Sequence, residues 1–111
     1  MQVLAISDLH TDFAENMRLV ESIEPSSHQD DVLIVAGDIA DQAETIGRTL
    51  ALLRSRFKMV FFVPGNHELW VRNESSDSVE KLFKLMSLCD SLDVRHSAAK
   101  VDGVWIVPLF S

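Results

Sequence analysis

Short unbroken apolar runs alternate along the chain with longer stretches in which apolar residues recur at helical spacing. Residues 2–7 (QVLAIS), 31–36 (DVLIVA) and 59–63 (MVFFV) have strand length and no polar alternation, the pattern of strands buried in a parallel sheet. Between the first two, Phe13, Met17, Val20 and Ile23 fall on one side of a helix expected over 13–23, with Thr11 or Asp12 as its cap. The segment 24–30 (EPSSHQD) is a polar turn broken by Pro25. Over 42–57, Ala43, Ile46, Leu50, Leu53 and Phe57 step by three, four, three and four, which is the clearest amphipathic helix in the chain. A third helix is expected over 78–92, opened by the capping-box spacing of Asp77 and Glu80, with Leu82, Met86 and Cys89 inward. Short strands at 93–96, 99–101 and 104–109 follow, the last two joined by an Asp102-Gly103 hairpin turn.

This order, β-α-β-α-β-α with a trailing strand pair, predicts an α/β fold with a mixed, mainly parallel sheet flanked by helices. In such sheets ligands bind beyond the carboxyl ends of the strands. Each of the three apolar runs delivers polar residues there: Asp8 and His10 after the first, Gly37, Asp38 and Asp41 after the second, and Asn66, His67 and Glu68 after the third. Alone, each group has a plain structural reading as cap, turn or loop chemistry. Three such groups at three strand ends point instead to one shared site.

The donors suit a hard or borderline cation such as Mn, Fe, Zn or Mg, because they comprise two carboxylates, an imidazole and an amide oxygen. Asp-x-His places two ligands close together, and Asp38 can bridge two cations with its two oxygens. Two cations a few ångströms apart can hold a phosphate's oxygens and activate a water between them for in-line attack. His67 can then protonate the leaving alkoxide, with Asp41 as the candidate carboxylate that keeps its ring charged and oriented. The remaining candidates read as structure: Cys89 as a small core residue, Trp70 as packing behind the loop, Glu68 as a cap or support, and His28 and His96 as solvent-exposed.

Composition narrows this further. At 111 residues and 47% hydrophobic, the chain is expected to be one folded domain. Its net charge of −7 argues against a general binder of nucleic-acid backbones. A single cysteine and the absence of a basic, apolar leader or a membrane-length apolar run predict a cytoplasmic protein.

The blocks SDLH at 7–10, GDIAD at 37–41 and GNHE at 65–68, in this order, resemble the calcineurin-like metallophosphoesterases. The resemblance covers essentially the whole chain. It implies the N-terminal half of a four-layer sandwich and a dinuclear metal centre that hydrolyses phosphate esters, on a small molecule or a phosphorylated substrate. Carried over by position, Asp8 and His10 bind the first metal, Asp38 bridges, and Asn66 binds the second. His67 stabilises the transition state or donates the proton, and Asp41 matches the acid paired with it. The chain departs from the family by lacking the later isolated His and the Gly-His-x-His block. It is therefore expected to be truncated at its C-terminal end and to hold the second metal weakly or not at all. The alternative expectation is an inactive metal-binding fragment, or a half-domain completed by another chain or by self-association through an exposed sheet edge.

Overall fold

Three parallel strands carry the fold. The computed structural model describes residues 1–37, 39–40, 42–64 and 78–107. Strands β1 (Val3–Ile6), β2 (Val32–Val35) and β3 (Met59–Phe62) lie side by side in the order β1-β2-β3. Val3 pairs with Val32, and Val32 with Met59. Helices α1 (Ala14–Glu21) and α2 (Ala43–Arg56) connect them, and α3 (Ser78–Leu92) follows β3. The chain then forms the antiparallel hairpin β4 (Ala99–Val101) and β5 (Val104–Ile106). Asp102 and Gly103, at φ 48° and 82°, supply the two left-handed residues that such a tight turn needs. The expected α/β architecture is present, with the three parallel strands trimmed to their apolar centres and β4 at its expected bounds.

The two faces of the sheet are covered differently. Leu33, Val35, Val60 and Phe62 point to the helical side, where Val20, Ile46, Leu50, Leu53, Leu85 and Cys89 complete the main core. The intervening residues Val32 and Phe61 point the other way and pack with Val101 of the hairpin, alongside Ile34, Met59 and Ile106. The hairpin reaches β2 and β3 in this way, whereas on β1 Val3 remains 46% exposed and Ala5 is exposed too.

Four local expectations are corrected. Phe13 does not join the α1 stripe: it is the N-cap, in extended backbone, and stands exposed. Neither Thr11 nor Asp12 caps that helix, for α1 has no side-chain cap bond. Among the described side chains of α3, those of Lys81, Leu85 and Cys89 are buried, while Leu82 and Met86 are half-buried. The stripe is turned toward α2, where a Cβ on Gly47 would sit 3.3 Å from Leu88 Cδ2. Finally, 93–96 makes a single parallel bridge, Arg95 to Phe61, and no full strand. Asp93 is spent on leaving the helix: it is left-handed (φ 58°), and the Val94 N–H donates back to the Cys89 carbonyl at 2.9 Å. Arg54 holds Asp93 by its carboxylate at 3.0 Å, which keeps that carboxyl below the usual range.

Candidate active site

The loop leaving β1 has an unusual backbone. Asp8 and His10 are both left-handed, at φ 56° and 46°. Asp and His tolerate this region better than most side chains, yet it still costs roughly 1–2 kcal/mol per residue. Such a loop persists when its surroundings fix it from several sides. Here the His10 carbonyl accepts the Phe13 N–H at 3.0 Å and the Asn16 Nδ2 at 3.2 Å. The Thr11 N–H donates to the Ile39 carbonyl at 2.8 Å, tying the loop after β1 to the loop after β2.

The side chains converge. Asp8 Oδ1 lies 3.7 Å from His10 Nε2, and the Ser7 hydroxyl donates to Asp8 Oδ2 at 3.2 Å. Both side chains reach solvent, Asp8 more than His10. A carboxylate oxygen and an imidazole nitrogen this close, and accessible, fit two adjacent positions around one borderline cation. No cluster of three or more His, Cys, Asp or Glu occurs among the described residues. After β2, Gly37 takes φ 82°, the left-handed turn that glycine adopts without steric cost, immediately before the expected ligand Asp38. Asp38, Asp41, Asn66, His67, Glu68 and Trp70 lie outside the described residues.

Sequence reasoning missed three buried polar residues. Thr11, Thr49 and Lys81 are all at least 96% buried. Thr49 sits between Ile46, Leu50 and Leu53 on the α2 stripe, so a hydroxyl on an apolar helix face was the available signal. Lys81 lies in the first turn of α3, near the end that faces the carboxyl ends of the strands, and the sequence offered no comparable hint. Neither remaining histidine is freely exposed. His28 stacks on Phe57 at 5.0 Å and meets Asp31 at 2.9 Å, while His96 meets Asp90 at 2.8 Å. Asp31 also accepts the Gln2 N–H. Its carboxyl is held below the usual range, first by the His28 hydrogen bond and then by the Gln2 N–H.

The family model described as calcineurin-like phosphoesterase matches residues 1–107. The chain belongs to that family. A curated relative from Mycobacterium tuberculosis (strain ATCC 25618 / H37Rv), the [acyl-carrier-protein] phosphodiesterase PptH, is 46% identical over 93 residues. That match covers 81% of this chain and 28% of the relative. The crystal structure of phosphopantetheinyl hydrolase (PptH) from Mycobacterium tuberculosis superposes with a TM-score of 0.83 at 41% identity, over 98% of this chain and 42% of that one. The chain thus spans less than half the length of both matched proteins. Among the described residues, no helix is long and apolar enough to cross a membrane.

Proposed function

We propose that this chain forms one side of a phosphodiesterase site that cleaves a phosphopantetheinyl phosphodiester on a carrier protein, the substrate type named in the relative. Asp8 and His10 would hold one divalent cation, and Asp38 and Asn66 would supply the ligands this chain offers to a second, more weakly held one. Mn, Fe, Zn and Mg all suit these donors. When bound, such a cation pair supplies Lewis acidity at the phosphate oxygens and lowers the pKa of water. His67 gives a proton to the leaving alkoxide as the P–O bond breaks, and Asp41 keeps that ring charged and turned toward it. One observation carries the reading: two left-handed residues, held against their backbone preference, bring a carboxylate and an imidazole to 3.7 Å at the carboxyl end of β1.

The test is Mn²⁺-dependent release of phosphopantetheine from a phosphopantetheinylated acyl carrier protein, read by intact mass. A chromogenic phosphodiester serves as a second substrate. Turnover by the wild-type chain that disappears in Asp8→Asn and Asp38→Asn supports the proposal. Folded wild type no better than either variant refutes it for this chain. A second reading, a half-domain completed by self-association, is favoured by the exposed Val3 and Ala5 on β1. Sedimentation velocity decides it: a monomer at every concentration rules self-association out.

A further inference from the structure

We propose that Thr11 and Thr49 are a positioning pair that sets the Asp8–His10 loop against the loop after β2, and thereby sets the cation affinity of the site. The inference rests on the metal-site reading above. Thr11 directly follows His10, and its N–H is bonded to Ile39, the neighbour of Asp38. Its side chain turns inward, and its hydroxyl lies 2.7 Å from that of Thr49 on α2. Thr49 Oγ1 also lies 2.8 Å from the Thr45 carbonyl and Thr11 Oγ1 lies 3.5 Å from the Ile39 carbonyl, so the two hydroxyl protons are shared among these three contacts.

Three elements therefore meet at Thr11: the first loop, the second loop and helix α2. A buried hydroxyl is tolerated when it is hydrogen-bonded, and both of these are, to each other and to the Ile39 and Thr45 carbonyls. Two apolar side chains of the same shape would fill this space about as well. What they would lack is direction. The hydroxyl pair fixes Thr11 at one point on α2, and a left-handed residue one position away is the part of the loop with most to gain by relaxing. Loss of the bond frees His10 to drift from Asp8 while the fold stays closed.

The experiment titrates Mn²⁺ into the 111-residue chain and follows free Mn²⁺ by electron paramagnetic resonance, with a thermal melt on each variant. The variants are Thr11→Val, Thr11→Ser, Thr49→Val and Asp8→Asn. Wild type binds and Asp8→Asn does not. Thr11→Val and Thr49→Val each weaken binding roughly ten-fold, the usual effect of removing a group that orients a metal ligand. Thr11→Ser keeps the hydroxyl and binds like wild type. Thr49→Val leaves the loop sequence untouched, so it stands as the test if Thr11→Val fails to fold. If both valine variants bind like wild type while Asp8→Asn does not, the positioning role is overturned and the metal site stands. If Thr11→Ser is as weak as Thr11→Val, the hydroxyl is irrelevant and the proposal also falls. If wild type binds no better than Asp8→Asn, the metal-site reading fails and takes this inference with it.

Discussion

Replacing His10 by glycine and by alanine separates the backbone of the site from its chemistry. Both variants lose the imidazole and everything it touches, so the difference between them reports the backbone alone. At φ 46°, alanine meets the left-handed penalty of roughly 1–2 kcal/mol, which glycine does not. Glycine gives back about 0.5–1 kcal/mol through the greater freedom of its unfolded chain. The balance favours His10→Gly over His10→Ala by about 0.5–1 kcal/mol. For a chain of 111 residues, a difference of that size is about 2–4 °C in melting temperature. The assay is thermal denaturation of both variants in the presence of a chelator, so that cation binding plays no part. Ala51→Gly on the exposed face of α2 is the control, where glycine should lose about 1 kcal/mol. If alanine at position 10 matches or exceeds glycine, the loop is not left-handed in solution, and no costly backbone marks the site.

Two further outcomes follow from groups away from the site. Because the folded carboxyl of Asp31 is depressed, its stabilisation is complete above about pH 4 and lost as pH falls through its folded value. Asp31→Asn should therefore flatten the acid limb of a stability–pH curve and leave its neutral shape alone; an unchanged acid limb would refute the pairing with His28. The Cys89 thiol, pushed up to about 12 mainly by burial and also by the charge of Asp90, should resist alkylation in the folded chain. Its labelling rate should track unfolding across a urea series, and rapid labelling without denaturant would show that α3 is not seated on the core.

The sheet and α2 were legible because they depend on patterns one element can carry by itself. VLAI, VLIV and MVFF are apolar at every position, and the α2 stripe is buried along its whole length. The closeness of Asp8 and His10 could be anticipated for a related reason, since the first apolar run ends abruptly in polar residues. What escaped depends on contacts between elements. The inward turn of Thr11 requires Thr49, far along the chain. The rotation of α3 is set by the close approach at Gly47. Asp93 exits the helix left-handed in a position where sequence rules look for Gly or Asn, and Arg54 on another helix holds it there. His28 looked exposed because the Phe57 ring it stacks on comes from the far end of α2.

The spatial order of the sheet is also its order along the chain: β2 lies on β1, β3 on β2, and Arg95 on β3. A polypeptide emerging from a ribosome N-terminus first can therefore lay each strand on an edge already made, without holding an early segment open for a late one. Each addition closes one helical crossover and nothing longer, which keeps the entropic cost of every step similar. The stretch that waits longest is the outer side of β1, which no later described segment returns to pair with.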